Sequence, residues 1–359
     1  MNSFLIVRLG SLGDVIHGIP VAAALRQEFP SARIDWMVDP RYVELLDLVQ
    51  GIDRRIAVDP RAIRHREGRR RFREMLRELR RADYDAVIDL QGLLKSAMLA
   101  RSVRARKTIG FPRRHLREPF ARLFYTVAPD PGDATHVIYK NLALLAPLKV
   151  EDRRVRFPLE VPRSSTVLQV ADRFEPDGYV LINPGAAWPN KRWPPERFGE
   201  VASAIVRDFG WRSLVLWGPG EQEIAHRVVA ASGGAAEPSP PTTIADIVGV
   251  ARGARLMISG DTGPLHIAAA VGTPIVALYG PTQPERNGPW GLNDIAISRV
   301  QRCACLYERT CRKTERCIDD IDVAEVVSAV HRRMAARGDR QWAVGSAQAM
   351  MVMGVEADP

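Results

Sequence analysis

Short apolar segments alternate with helix-like segments twice along this chain of 359 residues. The apolar segments predict strands at 4–7, 33–38 and 86–90 in the first half and at 179–182, 256–258 and 275–278 in the second. These segments are continuously apolar, as strands are when helices cover both faces of a sheet. The pattern therefore predicts an α/β protein with two Rossmann-like domains, each a doubly wound parallel sheet.

The length favours the same division, because a single apolar core rarely serves more than about 250–300 residues. We predict an N-terminal domain over 1–165 and a C-terminal domain over 166–335, joined by a linker region at 150–174 that is poor in strand signals. The tail over 336–359 has no clear period and is predicted to be disordered or weakly packed.

The composition indicates the cellular compartment of the protein and the chemical class of its partner. The chain is 46% hydrophobic and 26% charged, and it has no apolar run of about 18 residues that would offer a membrane span. Its start lacks the features of a secretory signal, so we expect a cytoplasmic protein. The formal net charge of +9 indicates an anionic partner. Nucleic acid is disfavoured, because no aromatic-interleaved strand, helix-turn-helix or zinc-finger spacing accompanies the charge.

The positive charge is concentrated in the first half of the chain. Residues 54–81 hold twelve arginines against four acidic residues, and Arg113, Arg114 and Arg117 form a second basic group. A solvated helix face and a surface that binds an anion both fit such a run. The charge pattern alone leaves these two interpretations open.

The segment Ser259–His266 is a candidate phosphate site. It lies between the apolar run at 256–258 and the small residues at 267–270, so a strand ends in a glycine-containing turn that opens a helix. The unpaired N–H groups at such a helix start suit a phosphate. A related strand-turn-helix opens the chain at 5–14.

Two further groups suit a nucleoside diphosphate in the second domain. Lys191 follows the strand-ending turn Asn183-Pro184-Gly185, where a cation can neutralise phosphate charge. Glu221 follows another strand, where a carboxylate can hold a ribose hydroxyl pair. Because ligands of doubly wound sheets bind beyond the carboxyl ends of the strands, we expect these groups to face one cleft.

Asp14 has two interpretations. An aspartate at a helix start is usually a cap or a residue that complements the helix dipole. The glycines in the preceding turn, however, would let a ligand approach its carboxylate. Opposite a nucleoside diphosphate held by the other domain, that carboxylate is suited to remove a proton from an acceptor hydroxyl.

Three segments carry a resemblance to a known family: 8–17 (RLGSLGDVIH), 84–96 (YDAVIDLQGLLKS) and 260–266 (GDTGPLH). They resemble glycosyltransferase family 9, the ADP-heptose:lipopolysaccharide heptosyltransferases, over most of residues 1–330. The middle segment is most similar to the heptosyltransferase I subgroup, which adds the first heptose to Kdo-lipid A. The resemblance implies a GT-B fold and a metal-independent, inverting transferase without a cofactor.

The resemblance also implies roles for single residues. Asp14 matches the general base, and Lys191 matches the lysine at the donor diphosphate. Glu221 matches the acidic residue at the ribose, with Glu223 as an alternative. The donor-binding residues implied in this way are Ala186, Ala187, Lys191, Glu221, Thr242, Asp261, Thr262, Gly263, Pro264, Leu265 and His266. Where the family has hydroxyl side chains, this chain has Ala186 and Ala187, so backbone amides must make those phosphate contacts or the contacts are absent.

For the acceptor, the resemblance implies a phosphorylated glycolipid. The predicted acceptor-binding residues are Ser11, Gly13, Arg61, Arg64, Lys95, Arg114 and Arg117. The expected partners are ADP-heptose, Kdo-lipid A or a related anionic glycolipid, and the cytoplasmic face of the inner membrane, with no nucleic acid. Two alternatives remain open: a family 9 transferase that acts on a later acceptor, and a non-catalytic protein that binds a nucleotide or polyanion.

All four cysteines fall in the pattern Cys303-x-Cys305-x5-Cys311-x5-Cys317. Clustered cysteines in a cytoplasmic chain suggest metal or redox chemistry more than a disulfide framework. The pattern lacks paired C-x2-C units, so a structural zinc site and four free thiols remain as alternatives. We assign the cysteines no catalytic role.

Overall fold

The computed structural model describes residues 1–59, 61 and 64–336. The N-terminal strands are β1 Ser3–Val7, β2 Arg33–Val38, β3 Arg54–Ala57, β4 Tyr84–Asp89 and β5 Ala105–Ile109. The helices of this part are α1 Leu12–Ile16, α2 Ile19–Glu28, α3 Val43–Asp47, α4 Arg66–Arg81, α5 Leu94–Ser102 and α6 Val137–Ala143.

The second half repeats the alternation. Its strands are β6 Tyr179–Asn183, β7 Arg212–Val215, β8 Ala236–Pro238, β9 Leu256–Gly260, β10 Ile275–Tyr279 and β11 Ile295–Ser298. Its helices are α7 Ser165–Arg173, α8 Pro195–Phe209, α9 Gln222–Ala231, α10 Ile244–Gly253, α11 Gly263–Ala270, α12 Pro284–Asn287 and α13 Val323–Ala335.

Each half forms one parallel sheet, and the strand orders are β3-β2-β1-β4-β5 and β11-β10-β9-β6-β7-β8. The strand order therefore reverses between β1 and β4 in the first sheet and between β6 and β9 in the second. Ligands of doubly wound sheets bind beyond the carboxyl ends of the strands at such points. The predicted fold of two doubly wound parallel sheets is confirmed.

The helical segment after β1 is divided into α1 and α2 by a break at His17 and Gly18. Pro20 lies in the first turn of α2, where its missing N–H costs nothing, and it marks a new helix start. A β-carbon on Gly18 would lie 2.9 Å from the Trp36 ring, so the break also needs a residue without a side chain.

The predicted linker region at 150–174 contains a helix, α7, that the sequence analysis missed. The Ser164 hydroxyl caps it by accepting a hydrogen bond from the Val167 N–H at 3.2 Å. Val167 packs against Gly249 of α10, where a β-carbon would lie 2.5 Å from a Val167 methyl group. Because α7 packs on α10, it belongs with the second domain, and the boundary near 165 stays a prediction. The predicted tail lies outside the described residues from 337 onward.

A buried ion pair fixes α13 to the second sheet. The Arg333 Nε donates to Asp294 Oδ1 at 3.1 Å, and both side chains are only 6% exposed. The same carboxylate oxygen accepts from the Ile275 N–H at the start of β10 at 3.0 Å. Burial raises the pKa of Asp294 to about 6, against the opposing effect of Arg333. The contact therefore joins α13, β10 and the segment before β11.

Replacing the cation tests this contact. Arg333→Met leaves the Asp294 carboxylate buried without its partner, so the free energy of unfolding should fall by about 3–5 kcal/mol at pH 8. The pKa of Asp294 is higher in the folded protein than in the unfolded chain, so the stability that its protonation contributes is lost as the pH rises through about 6. At pH 5 the carboxyl is mostly protonated and depends less on the Arg333 cation. The difference between variant and wild type should therefore be smaller at pH 5, as urea unfolding at both pH values will measure. An equal difference at both would contradict the ion pair.

Candidate active site

A cavity of about 600 Å³ lies between the two domains. Its walls come from the segments that follow β1 and β2 in the first sheet and each of the strands β6 to β11 in the second. These are carboxyl ends of parallel strands, and they include a segment from each reversal of strand order. The cavity is therefore in the position where both sheets are expected to bind ligands.

Helices α1 and α11 touch across this cavity because glycine stands at two positions. A β-carbon on Gly13 would lie 2.4 Å from the His266 ring. A β-carbon on Gly263 would lie 2.5 Å from a Leu12 methyl group. Real β-carbons do not come this close to other atoms, so a side chain at either glycine would force the facing side chain or the helices to shift. Gly263 lies in the predicted phosphate turn, and Gly13 lies in the related turn at 5–14.

The Asp14 carboxylate lines the cavity from α1. It forms an ion pair with Arg8, and its Oδ2 accepts from the Ser11 N–H at 3.1 Å and the Ser11 hydroxyl at 3.0 Å. Burial raises the pKa of Asp14, but Arg8 and the Ser11 hydrogen bonds outweigh burial and lower it. The carboxylate is therefore ionised at neutral pH. Ser11, and not Asp14, is the N-cap residue of α1, while Asp14 supports that turn from inside the helix.

Arg8 is itself held in place, which fixes the direction of the Asp14 side chain. Its guanidinium is buried and donates to the Leu90 carbonyl at the end of β4. The Arg8 carbonyl accepts from the Trp36 indole N–H at 3.2 Å. The sequence analysis missed Arg8, although its place at the carboxyl end of β1 is a signal that pointed to it.

The Asp261 carboxylate has four hydrogen-bond partners in the site. Its Oδ2 accepts from the Lys191 ammonium at 2.5 Å and the Thr282 hydroxyl at 2.7 Å. Its Oδ1 accepts from the Asn287 amide at 2.9 Å and lies 3.2 Å from His266 Nε2. Burial raises the pKa of Asp261, but His266 and Lys191 together lower it far below the usual range. The carboxylate is thus kept ionised in the interior by four donors.

Lys191 is positioned by two contacts. Besides Asp261, its ammonium lies 4.5 Å from the centre of the Trp188 ring, which is a cation–π contact. Lys191 follows β6 in the short turn 189–191, and its side chain is 15% exposed toward the cavity. A ligand with a diphosphate group would meet a cation that is already oriented.

The strand ends at the second reversal point are tied together. The Asn183 amide at the end of β6 donates to the Ser259 hydroxyl and the Thr262 hydroxyl, both at 3.0 Å. Thr262 is the N-cap residue of α11, and its side chain does not accept from the helix. Pro264 has no N–H, and the His266 N–H donates to the Thr262 carbonyl at 3.4 Å, so Gly263 and Leu265 carry the first-turn N–H groups that remain for a ligand.

Glu221 lines the cavity, whereas Glu223 does not. One Glu221 oxygen accepts from the Gly218 N–H at 3.1 Å, and the other lies 3.8 Å from the Arg192 guanidinium. A β-carbon on Gly185 would lie 2.2 Å from this carboxylate, so the glycine of the β6 turn leaves room for it. Of the two candidate carboxylates, Glu221 is the one that a ligand in the cavity can reach.

Three histidines meet where the domains touch. The His17 ring centre lies 4.5 Å from that of His266 and 5.6 Å from that of His136. Burial and the two neighbouring histidines lower the pKa of His17 well below its usual value, and burial lowers the pKa of His136. His17 and His136 are therefore neutral at pH 7. His136 Nε2 lies 3.0 Å from the Gly288 carbonyl, which adds a second link between the domains.

Most of the predicted donor-binding residues line the cavity. They are Ala186, Ala187, Lys191, Glu221, Thr242, Asp261, Thr262, Gly263, Pro264 and His266. Leu265 is an exception, because its side chain is fully buried in the core behind α11. Ser11 and Gly13 line the cavity from the first domain.

The five basic residues predicted for the acceptor lie outside the cavity wall. Lys95 is exposed on α5, and Arg117 is exposed after β5. Arg114 forms an ion pair with Asp130. Arg61 and Arg64 are exposed in the segment before the arginine-rich α4. Their role in acceptor binding stays a prediction.

The sequence analysis missed several residues of the wall: Tyr42, Trp188, Trp217, Arg286, Tyr307 and Arg309. Arg286 follows β10, so the rule that sites lie after parallel strands would have pointed to it. Trp217 likewise follows β7, and its indole N–H donates to the Ser239 carbonyl at 2.9 Å. Arg309 comes from the cysteine-containing segment, which carries no such signal.

The cysteines lie close to this wall. Cys303 Sγ and Cys305 Sγ are 3.6 Å apart, and all four cysteines are free thiols. The Asn190 amide, next to Lys191, donates to Cys305 Sγ at 3.4 Å and to the Glu308 carbonyl at 3.0 Å. Across residues 1–59, 61 and 64–336, no three side chains are arranged to hold a metal ion. The zinc interpretation stays a prediction.

Two Rossmann-like domains with a cavity between their strand ends form the GT-B fold. The chain belongs to glycosyltransferase family 9 (heptosyltransferase), whose family model matches residues 72–316. It is 33% identical to lipopolysaccharide heptosyltransferase 1 of Pseudomonas aeruginosa, over 86% of both chains. The same enzyme of Escherichia coli K12 is 30% identical, over 83% of this chain and 93% of the relative.

A solved structure agrees with this assignment. E. coli heptosyltransferase WaaC with ADP is 25% identical and has a TM-score of 0.73, over 92% of this chain and 99% of that chain. The predicted family, its GT-B fold and its enzymatic character are confirmed. Within the part of the chain that the structure describes, no helix is long and apolar enough to span a membrane.

The Asp261 network generates a stability prediction. Asp261→Asn removes the negative charge that balances the Lys191 ammonium, so the free energy of unfolding should fall by about 3–5 kcal/mol. Thr282→Val removes only one of the four donors and should cost about 1 kcal/mol. Urea unfolding of both variants measures the difference. Equal losses would contradict the central place of Asp261.

Proposed function

We propose that this enzyme transfers heptose from ADP-heptose to the Kdo of the lipopolysaccharide inner core. The observation that carries the proposal is the pairing of Asp14 and Lys191 in one cavity, contributed by opposite domains. An inverting transfer needs a base on the acceptor side and a cation on the side of the leaving group. The identity to heptosyltransferase 1 relatives over most of the chain supports heptose as the sugar.

The donor fits the wall of the second domain. The ADP phosphates would lie at the N-terminus of α11, with the Lys191 ammonium beside them. The ribose hydroxyls would face Glu221, and the adenine would lie along the segment that contains Thr242. Because Ala186 and Ala187 carry no hydroxyl, backbone amides would supply any phosphate contacts at these two positions.

Transfer would take place in a single displacement. The Kdo hydroxyl oxygen forms a bond to the anomeric carbon while the bond from that carbon to the β-phosphate oxygen breaks. The electron pair of the broken bond leaves with ADP, whose added charge Lys191 and the α11 N–H groups stabilise. The hydroxyl proton passes to the Asp14 carboxylate, which Arg8 and Ser11 hold ionised and oriented.

The acceptor would be an anionic glycolipid at the cytoplasmic face of the inner membrane. The exposed arginines of α4 and the segment before it, together with Lys95, Arg114 and Arg117, offer cations to its phosphate and carboxylate groups. With this acceptor, the enzyme would act at the membrane surface.

The mechanism is tested by Asp14→Asn in a transfer assay with ADP-heptose and Kdo-lipid A, followed by mass spectrometry of the product. The amide cannot accept the proton at neutral pH, so the rate should fall by about 10²–10⁴. ADP affinity should be unchanged and serves as the check on folding. Asp47→Asn, on the exposed surface of α3, is the matched control and should keep full activity.

Two results would contradict the proposal. Full activity of Asp14→Asn would rule out Asp14 as the general base. If the wild type binds ADP but the product mass does not increase by one heptose, this acceptor or this sugar is ruled out. Transfer of heptose to a core that already carries one would indicate a family 9 transferase that acts on a later acceptor.

The ribose assignment is tested by a matched pair of variants. Glu221→Gln replaces the carboxylate that lines the cavity, and Glu223→Gln replaces its neighbour, which does not. Hydrogen bonds to charged groups contribute about 1.5–3 kcal/mol, so ADP affinity should fall by about ten- to a hundredfold in the first variant only. Isothermal titration calorimetry measures both. A loss confined to Glu223→Gln would reverse the assignment.

A further inference from the structure

Four large apolar side chains lie exposed together on the N-terminal domain. Leu94 and Met98 are on α5, with exposed fractions of 38% and 52%. Phe120 and Leu123 are on the 3-10 segment Pro119–Phe124, with exposed fractions of 69% and 79%. The 3-10 segment packs directly against α5. We call these four residues the apolar patch.

The patch belongs to ordered structure. Leu94 and Met98 are four positions apart, so they lie on the same face of α5. The Leu94 N–H donates to a Glu118 carboxylate oxygen at 2.6 Å, which ties the start of α5 to the start of the 3-10 segment. Phe120 and Leu123 are three positions apart in the 3-10 segment, so they lie on one face, while Ala121 between them is fully buried. Exposure of the patch is therefore built into the backbone.

Basic residues surround the patch. Of the nine lysines and arginines in residues 94–124, Arg104, Arg106 and Arg114 are paired with Asp83, Asp85 and Asp130. Lys95, Arg101, Arg113 and Arg117 are exposed, and Glu118 is engaged with the Leu94 N–H. Apolar side chains rimmed by cations match the interface of an anionic bilayer, where aliphatic and aromatic groups enter the acyl boundary and cations meet the headgroups.

We propose that the apolar patch inserts into the surface of an anionic phospholipid bilayer and anchors the enzyme there. Lysines and arginines near such a surface and methylene groups buried in it both add to the affinity. The combined binding is reversible, as an enzyme that must reach successive acceptors requires.

The position of the patch connects it to the cavity. Leu94 follows the carboxyl end of β4, and the 3-10 segment follows the carboxyl end of β5. Asp14 follows the carboxyl end of β1, which pairs with β4. The patch and the base are thus at the same edge of one sheet. Membrane contact would hold the cavity entrance near the headgroups, and this consequence for acceptor delivery rests on the proposed function.

The proposal is tested by sedimentation with vesicles of phosphatidylcholine alone and of phosphatidylcholine mixed with phosphatidylglycerol. The variant Phe120→Ser with Leu123→Ser removes the two most exposed patch residues. Its control, Leu168→Ser with Leu292→Ser, removes apolar side chains that are 54% and 88% exposed outside the patch. We expect the patch variant to lose binding to anionic vesicles by on the order of tenfold or more, while the control binds as the wild type does.

A second variant tests the charges. Arg101→Glu with Arg113→Glu should weaken binding to anionic vesicles, and added salt should do the same to the wild type. Equal binding of patch variant and wild type, an equal loss in the control, or equal binding to neutral and anionic vesicles would each overturn the proposal.

Activity separates this inference from the proposed function. With a water-soluble Kdo acceptor that lacks acyl chains, the Phe120→Ser/Leu123→Ser variant should transfer heptose at the wild-type rate. With Kdo-lipid A in anionic vesicles it should be slower. A wild type that binds vesicles but transfers no heptose would leave the membrane surface intact and reject the proposed reaction. Slow transfer by the variant to both acceptors would overturn the membrane role of the patch.

Discussion

The site depends on the close approach of α1 and α11. Gly13 and Gly263 lie where a side chain would collide with His266 and Leu12, so their lack of one allows the two helices to touch. This contact brings the Asp14 carboxylate of the first domain into the cavity that Lys191 of the second domain lines. The proposed base and the proposed cation for the leaving group thus come from different domains. The glycines of the two turns therefore serve the assembly of the site.

Electrostatics explains how the site remains stable without a ligand. Lys191 is neutralised by Asp261, and Asp14 by Arg8, so each functional charge has a partner within its own domain. Asp261 keeps three further donors besides Lys191, so it would not be left unpaired if the ammonium turned toward a phosphate. A bound diphosphate would thus exchange partners with Lys191 rather than meet an unpaired buried charge.

Local sequence patterns predict much of this arrangement. Continuous apolar segments predicted both sheets, and strand-turn-helix motifs predicted the places of Asp14 and Asp261. The sequence could not decide between Glu221 and Glu223, because the choice depends on how the first turn of α9 faces Gly185. It also could not find α7, whose apolar contacts are made with α10 and leave only Val170 fully buried within the helix. Arg309 and Tyr307 reach the cavity through the cysteine-containing segment, a long-range contact without a local pattern.

The most direct test is a crystal structure of the enzyme with ADP-2-deoxy-2-fluoro-heptose, the donor analogue found with WaaC. The account predicts the diphosphate at the N-terminus of α11 within hydrogen-bonding distance of the Lys191 ammonium. It also predicts the Asp14 carboxylate on the face of the anomeric carbon opposite the phosphate, with space for one acceptor hydroxyl between them. A diphosphate bound elsewhere, or Asp14 directed away from the sugar, would contradict the account.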